Sequence, residues 1–196
     1  NGIKVIRTQK YKATTDSNHT FNSAPNLLDQ DFSATGPNQK WAGDISYIWT
    51  SEGWLYLAVI LDLYSRRVIG WAVSNRMKKD LAIRALDMAV ALRQPAKDCI
   101  HHTDRGSQYC SNKYQKRLSK HGFKVSMSGK GNCYDNSMVE TFFKSIKAEL
   151  IWRNRWDKRR QAEGAIFQCI NGFYNPRRRH SSRDGKSPLA LERKAA

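Results

Sequence analysis

Three strand-like segments joined by very short turns constrain the fold of this chain more than any other feature of its sequence. Residues 41–49 are rich in aromatic and β-branched side chains, residues 54–61 are continuously apolar, and residues 67–73 follow after a turn. Connections of only a few residues can join such strands only as antiparallel neighbours. The unbroken apolar run of the second segment is typical of a strand that is buried on both faces.

The segments that follow this antiparallel meander predict a mixed sheet. Apolar residues at helical spacing over residues 80–92 indicate a helix that ends before Pro95. A crossover helix places the next strand, residues 98–103, in the same sheet and parallel to the first strand. The remaining patterns predict a helix over residues 112–121, a strand over 123–126, and helices over 135–150 and 159–174. The expected fold class is therefore α/β, with helices flanking the sheet.

The two ends of the chain differ from this core in composition. Residues 1–37 are polar and irregular, and we interpret them as a linker or N-terminal extension. Residues 38–175 form the expected core, and residues 176–196 are interpreted as a basic C-terminal tail. The chain begins with Asn1 rather than Met, so it is expected to be a piece of a longer protein.

The net charge indicates the class of partner. The 196 residues include 34 Lys and Arg against 17 Asp and Glu, a formal net charge of +17. A domain this basic typically binds a polyanion, because each neutralised phosphate releases counterions, and nucleic acid is the first candidate. No uncharged apolar run reaches the roughly 18 residues of a membrane span. The cysteines (Cys99, Cys110, Cys133 and Cys169) lack a C-x-x-C spacing, which argues against a zinc ribbon or a disulfide scaffold and favours reduced thiols in a cytosol.

Residues 138–150 carry an amphipathic helical pattern. Glu140, Lys144 and Lys147 recur at spacings of four and three residues and therefore share one side of the helix. The other side is apolar, with Met138, Val139, Phe142, Phe143, Ile146 and Leu150. Taken alone, this pattern is an ordinary amphipathic helix whose Glu–Lys pairs contribute about 0.2–0.5 kcal/mol each.

Three acidic residues that are far apart in the sequence are expected to meet. Asp44 lies in the first strand, Asp104 follows the fourth strand beside it, and the helix of Glu140 can pack against the same sheet. Like charges about 4 Å apart repel by about 4 kcal/mol at an effective dielectric constant of about 20, so a cation must accompany them. Carboxylate oxygens suit Mg²⁺ or Mn²⁺, and two such ions about 3.5–4 Å apart support in-line displacement at a phosphate. The pattern alone leaves other acids open as ligands, namely Asp62, Asp87, Asp98 and Asp135.

The motifs around these acids closely resemble the transposases of IS3-type bacterial insertion sequences. They occupy residues 41–48 (WAGDISYI), 101–109 (HHTDRGSQY) and 131–143 (GNCYDNSMVETFF). The 35 residues between Asp104 and Glu140 match the D-x35-E spacing of that family and of retroviral integrases. Residues 174–182 and 186–188 resemble the closing motif of the family, so the resemblance covers roughly residues 38–190.

The resemblance implies an RNase H-like fold, with a mixed five-stranded sheet flanked by helices. It implies that Asp44, Asp104 and Glu140 are the catalytic residues and bind Mg²⁺ or Mn²⁺, two ions when DNA is bound. The implied enzyme is a DDE transposase, which cuts one strand at insertion-sequence ends to give a 3′-hydroxyl and joins it to another phosphodiester by transesterification. Family members carry a helix-turn-helix region ahead of this domain, so residues 1–37 are expected to be the remnant that follows it.

The resemblance also implies partners. They are DNA, both insertion-sequence ends and target, and at least one further copy of the chain, since two DNA ends must be held together. The expected location is the bacterial cytoplasm, in association with the nucleoid and without a membrane. Two alternatives remain open: an RNase H-like or Holliday-junction nuclease without strand transfer, and a non-catalytic DNA-binding module.

Several basic residues are candidates for DNA contacts, with a solvated surface position as the alternative for each. Lys147 matches a family position that is expected to touch DNA near the cut. The other candidates are Lys144, Arg105, Lys130, Arg177, Arg178 and Arg179. Gln108 either holds substrate or shapes its loop. His102 is interpreted as a satisfied buried histidine, and Asp135 and Asn136 as helix caps.

Overall fold

The strands form one sheet in the computed structural model, which describes residues 23–129 and 132–195. They are β1 (Lys40–Thr50), β2 (Gly53–Asp62), β3 (Val68–Ser74), β4 (Ile100–Thr103) and β5 (Lys124–Met127). Each predicted strand is present, with bounds within two residues of those expected from the sequence.

The sheet is mixed, with the strand order β3-β2-β1-β4-β5. β2 pairs antiparallel with β1 and with β3, as the short turns predict. β4 pairs parallel with β1, and β5 parallel with β4. The predicted mixed five-stranded sheet is therefore confirmed, and β1 lies at its centre with neighbours of opposite direction on its two sides.

Six α-helices connect or flank these strands in the described part of the chain. They are α1 (Lys79–Arg93), α2 (Ser107–Cys110), α3 (Asn112–Lys120), α4 (Ser137–Ile146), α5 (Arg159–Phe167) and α6 (Pro188–Ala195). α4 continues as a π-helical segment over Lys147–Ile151, and α5 does so over Gln168–Tyr174. The sequence patterns did not predict α2, which lies in an expected loop, or α6, which lies in the expected tail, because neither is long enough to show a clear helical period.

Two apolar layers enclose the sheet. On one face, α4 and α5 pack through residues such as Val139, Phe142 and Ile166. On the other face, α1, α2 and α3 pack through residues such as Leu86 and Tyr114. Alternate residues of β2 belong to the two layers, so this strand is buried on both faces as its apolar run predicts.

Both ends of the described chain pack against this core. Leu28, in the predicted N-terminal extension, is buried in the layer of α4 and α5. In the predicted tail, Glu192 of α6 forms ion pairs with Arg67 and Arg93. Within the described ranges, no helix is both long and apolar enough to cross a membrane.

Candidate active site

The sheet register places Asp44 and Asp104 side by side. In the parallel pair of β1 and β4, Gly43 is the partner of Thr103, so the next residue on each strand is one of the two acids. The Asp44 Oδ1 accepts a hydrogen bond from the Ile45 amide at 2.7 Å. The Asp104 Oδ1 accepts one from the Gly106 amide at 2.9 Å. Both carboxylates are half-buried.

Glu140 reaches the same region from α4. It lies in the first turn of the helix, whose apolar side is buried through Val139, Phe142 and Phe143. The start of α4 is tied to β1, since the Asn136 Nδ2 donates a hydrogen bond to the Gly43 carbonyl oxygen at 3.3 Å. A helix anchored one residue before Asp44 carries its first-turn glutamate toward that aspartate.

The surroundings of Asp44 shift the pKa of its carboxylate. Burial raises this pKa well above its ordinary value, and the charge of Asp104 and then that of Glu140 raise it further. The Ile45 amide and the charge of Lys147 act in the opposite direction. Asp104 and Glu140 are therefore each close enough to Asp44 for their charges to act on its carboxylate.

The donor chemistry of these three acids fits a divalent cation. They offer carboxylate oxygens, the hard ligands that Mg²⁺ and Mn²⁺ prefer. Within residues 23–129 and 132–195, however, no three Asp, Glu, His or Cys side chains are close enough to hold one metal ion together. Joint coordination by all three acids thus requires their side chains to converge from the positions seen here.

Lys147 lies beside the acids in the π-helical segment that continues α4. Its ammonium group is 4.9 Å from the centre of the Tyr47 ring, a cation–π contact. Burial lowers the pKa of Lys147, and the nearby charge of Asp44 opposes that shift. Lys144, one turn earlier, is exposed. The contact between Tyr47 and Lys147 was not predicted, because an aromatic residue in a strand gives no signal of its distant partner.

Tyr109 of α2 is a second neighbour that the sequence did not reveal. Its side chain is buried. Burial, the charge of Asp44, Tyr114 and the charge of Asp104 all raise the pKa of its hydroxyl. Tyr109 therefore stays neutral and forms part of the wall behind the two aspartates.

The adjacent histidines have structural roles. His102 shares hydrogen bonds with Ser126 Oγ at 2.8 Å and Ser128 Oγ at 3.1 Å, and burial lowers its pKa to about 4 despite the charge of Asp135. His101 shares one with the Tyr114 hydroxyl at 2.7 Å, and burial lowers its pKa to about 3. The interpretation of His102 as a satisfied buried histidine is confirmed.

Asp135 anchors loops instead of capping a helix. Its buried carboxylate accepts four hydrogen bonds, from Asn26 Nδ2 (3.1 Å), Gln30 Nε2 (3.3 Å), the Gly129 amide (2.7 Å) and Asn132 Nδ2 (2.8 Å). Asn136 occupies the N-cap position of α4, but its side chain makes no capping hydrogen bond. The capping hypothesis is therefore wrong for both side chains, because each is engaged by another part of the fold.

The other competing acids have partners elsewhere. Asp62 is buried, accepts hydrogen bonds from the Asn38 and Tyr64 amides and lies 3.5 Å from Arg93. Asp87 pairs with Arg117, and Asp98 pairs with Lys124.

The predicted DNA-contacting residues occupy different surroundings. The Arg105 Nε donates a hydrogen bond to the Ser128 carbonyl oxygen at 2.7 Å, and Lys130 lies outside the described residues. Arg177 and Arg179 are exposed, whereas Arg178 pairs with Glu149 and lies 6.0 Å from the centre of the Tyr174 ring. The Gln108 Nε2 donates a hydrogen bond to the Met77 carbonyl oxygen at 3.2 Å, so it shapes its loop.

Two protein families together match most of the chain. The family described as Integrase core domain matches residues 34–133, and a second family of the same description matches residues 121–188. The transposase InsF for insertion sequence IS3A of Escherichia coli (strain K12) is 48% identical over 193 residues, which cover 98% of this chain and 67% of that protein. The insertion element IS600 uncharacterized 31 kDa protein of Shigella sonnei is 46% identical over 192 residues, covering 98% and 71%.

Solved structures share the fold at low sequence identity. A chain of the simian T-cell lymphotropic virus intasome in complex with PP2A regulatory subunit B56 gamma has a TM-score of 0.67 at 18% identity, covering 89% of this chain and 60% of that one. The HTLV-2 integrase catalytic core domain in complex with magnesium, solved in a dimeric form, has a TM-score of 0.63 at 18% identity, covering 82% and 99%. The predicted RNase H-like fold is thereby confirmed.

Proposed function

The chain belongs to the integrase core domain family as it occurs in IS3-type insertion-sequence transposases, and on that premise we propose how its residues act on DNA. The chain is a DDE transposase catalytic domain. The proposed reaction has two steps. Water first attacks a phosphodiester at the end of the element, which releases a 3′-hydroxyl on one product and leaves a 5′-phosphate on the other. That hydroxyl then attacks a second phosphodiester, so that one P–O bond forms as another breaks.

The proposed metal-binding residues are Asp44, Asp104 and Glu140. When bound, divalent ions supply charge stabilisation at the reacting phosphate and favour deprotonation of the attacking oxygen. The observation that supports this assignment is the raised pKa of Asp44, to which both other acids contribute. A half-buried group of three carboxylates that repel one another is an unfavourable arrangement without a cation.

Lys147 is proposed to position DNA at this site. Its ammonium group is held between the Tyr47 ring and the charge of Asp44. A positive charge in this place attracts the phosphodiester beside the carboxylates and limits the repulsion between them and the DNA backbone. The contact with the Tyr47 ring, which a fully solvated lysine lacks, fixes where the charge of Lys147 lies.

The remaining candidate contacts are proposed to follow the DNA backbone away from the cut. They are Lys144, Arg105, Lys130, Arg177, Arg178 and Arg179. The net charge of +17 supports binding to duplex over a wide surface. We further propose that at least two copies assemble on DNA, because two ends must be joined in one reaction, and that the protein acts on nucleoid DNA in the bacterial cytoplasm.

A strand-joining assay separates this proposal from its alternatives. The substrate is a labelled duplex that carries the terminal repeats of the protein's own element, with a pre-cut 3′-hydroxyl and Mg²⁺ or Mn²⁺. We expect joined products from the unaltered chain and none from Asp104→Asn or Glu140→Gln. The matched control is Asp80→Asn, since Asp80 is an exposed acid that pairs only with Lys113 among the described residues.

Each other outcome assigns a different function. Metal-dependent cuts without joined strands indicate a nuclease. DNA binding that survives the two triad substitutions, with no metal-dependent activity in the unaltered chain, indicates a non-catalytic DNA-binding module.

A further inference from the structure

Three arginines and one histidine meet where the loop after α5 packs against the turn between β2 and β3. This cluster, which we name the arginine cluster, consists of Arg66 from the turn and Arg178, His180 and Arg183 from the loop. The Arg183 Nη2 donates a hydrogen bond to the Leu63 carbonyl oxygen at 3.1 Å, which joins the two segments. The cluster is thus built by residues that are more than 100 positions apart in the sequence.

Tyr174 holds the cluster together from one side. The ring of His180 packs edge-on against that of Tyr174, with the ring centres 5.4 Å apart. The guanidinium of Arg178 lies 6.0 Å from the centre of the same ring. Tyr174 itself packs edge-on against Phe142 of α4 at 4.9 Å. The arginine cluster is therefore connected through packed rings to the helix that carries Glu140.

The arginine charges of the cluster act on their neighbours within it. Burial and then the charge of Arg183 lower the pKa of Arg66 to about 10, although Tyr174 and the charge of Asp62 act in the opposite direction. Burial also lowers the pKa of His180, with contributions from the charges of Arg178, Arg66 and Arg183. Such mutual effects need short separations in a partly desolvated place.

Counter-charges are scarce at this position. Glu149 pairs with Arg178. Among residues 23–129 and 132–195, no carboxylate forms an ion pair with Arg66 or Arg183. The next residue along the turn gives the contrast, because Arg67 pairs with Glu192 at 2.7 Å. The fold pairs Arg67 with a carboxylate, whereas Arg66 experiences the charge of Asp62 without forming an ion pair with it.

Buried N–H groups of the cluster also lack acceptors. Among the described residues they are Arg66 Nε and Nη1 and Arg183 Nε, and His180 Nε2 also has no hydrogen-bond partner. A buried donor without an acceptor is unfavourable, so such groups usually mark a missing partner. An acceptor satisfies the arginine N–H groups, and an anion suits them best because neither Arg66 nor Arg183 has an ion-pair partner in the described part of the chain.

We propose that the arginine cluster binds one phosphate group of the DNA backbone. The guanidinium fork matches the geometry of phosphate oxygens, and several N–H groups here converge without an acceptor. This inference rests on the proposed function, which supplies the DNA.

The position of the cluster suits a phosphate away from the cut. Asp62, where the turn begins, is three residues along β2 from Val59, the partner of Asp44. At about 3.4 Å per residue, the turn starts about 10 Å from the level of Asp44. A duplex held at the carboxylates would present a phosphate there about three base pairs or more from the reacting one.

The salt dependence of DNA binding counts the phosphates that the protein neutralises. We expect Arg66→Gln to lower the magnitude of the slope of log K against log salt concentration by about 0.9 and to weaken binding about tenfold. Arg117→Gln is the matched control, because Arg117 lies on α3, on the other face of the sheet, and pairs with Asp87. An Arg66→Gln slope equal to that of Arg117→Gln overturns the proposal.

The stability of the free protein separates a binding role from a structural one. Since Arg66 has no carboxylate partner, Arg66→Gln should leave the melting temperature unchanged or raise it. A lower melting temperature with an unchanged salt slope overturns the proposal in favour of a structural cluster. If Arg66→Gln does not fold, the salt slope is measured with Arg183→Gln and Arg66→Lys instead. A slope equal to that of Arg117→Gln in both of these variants overturns the proposal.

Two further arms identify the source of the phosphate. In the first, affinity is measured for a series of duplexes, each with one uncharged methylphosphonate linkage at a different position. At one position the substitution should weaken binding of the unaltered chain and leave binding of Arg66→Gln unchanged. Inorganic phosphate, compared with chloride at equal ionic strength, should stabilise the unaltered chain and Arg66→Gln alike. Selective stabilisation of the unaltered chain, with no sensitive linkage, indicates a site for free phosphate and overturns the proposal. If the unaltered chain does not bind DNA at all, it is the proposed function that fails.

Discussion

The ammonium group of Lys147 lies 4.9 Å from the centre of the Tyr47 ring, and its charge opposes the raised pKa of the Asp44 carboxylate. Tyr47 and Asp44 belong to β1, whereas Lys147 is the first residue of the π-helical segment that continues α4. The contact therefore fixes the helix of Glu140 against the strand of Asp44 at a second point, after the hydrogen bond from Asn136 to Gly43.

Replacing Lys147 by Gln should slow strand joining about tenfold or more, because the positive charge beside the reacting phosphate is lost. Lys147→Arg keeps the charge and should recover most of the rate. The rate of joining under single-turnover conditions is the measurement. Lys120→Gln, an exposed lysine of α3, serves as the charge-matched control. Equal rates for Lys147→Gln and Lys120→Gln would contradict the proposed role.

Replacing Asp44 by Asn should uncouple stability from divalent ions. In EDTA the variant should melt at the same temperature as the unaltered chain or higher, because a half-buried charge that repels two others is gone. With Mg²⁺ at about 100 times its Kd, the unaltered chain should gain about 2.7 kcal/mol of unfolding free energy and the variant much less. Thermal unfolding with and without Mg²⁺ measures both effects.

The control for that experiment is Asp87→Asn, which removes an acid paired with Arg117 on the other face of the sheet. It should gain as much stability from Mg²⁺ as the unaltered chain does. A full Mg²⁺ effect in Asp44→Asn would show that the ions bind elsewhere.

Replacing Asp135 by Asn should destabilise the fold by about 2 kcal/mol, because an amide group cannot accept all four of the hydrogen bonds that this carboxylate accepts. Asp184→Asn, at an exposed aspartate near the C-terminus, should change stability by less than about 0.5 kcal/mol. Urea unfolding of the two variants measures this difference in stability.

Since Asp135 precedes α4, we also expect slower strand joining by Asp135→Asn. A joining rate equal to that of Asp184→Asn would contradict a positioning role for Asp135.

The ion pairs of Glu192 should make stability depend on pH in the acid range. Burial alone would raise the pKa of Glu192, but hydrogen bonds from Arg93, Ser65 and Arg67 outweigh it, so the pKa lies below its ordinary value of 4.5. Stabilisation by a carboxylate with a lowered pKa is complete above the unfolded pKa and is lost as the pH falls through the folded pKa.

Glu192→Gln should therefore cost about 3 kcal/mol at neutral pH, and the difference should shrink as the pH falls below about 4.5. Urea unfolding of both proteins across this range is the measurement. A difference that stays constant to the lowest pH at which the unaltered chain folds would rule out the ionised Glu192 as its source.

The order of strands and helices was predictable from the sequence because each element has a local signal. Short turns fix β1, β2 and β3 as antiparallel neighbours, and the crossover through α1 makes β4 parallel to β1. Those two rules predict that Asp44 and Asp104 lie on neighbouring strands near one edge of the sheet, and the register of β1 and β4 then places them side by side. The neighbourhood of the two aspartates thus follows from topology, without knowledge of any side-chain contact.

The contacts that the sequence did not predict join side chains over long separations. Asn26 and Asp135 are 109 residues apart, and Arg183 contacts the turn at Leu63 across 120 residues. Sequence periodicity cannot predict contacts between residues so far apart. In the sequence, Arg66 is indistinguishable from any other basic residue in a turn. The capping hypothesis for Asp135 was wrong for the same reason. Its position just before α4 favoured a helix cap, but its carboxylate accepts hydrogen bonds from other segments instead.

Diffraction from crystals soaked in Mn²⁺, measured at a wavelength where manganese scatters anomalously, tests the central claim most directly. We expect anomalous density bound by the carboxylates of Asp44 and Asp104, with Glu140 turned toward it, and none at that place in crystals of Asp104→Asn. Manganese bound only at other sites, with the three acids still apart, would contradict the claim that they form the metal centre.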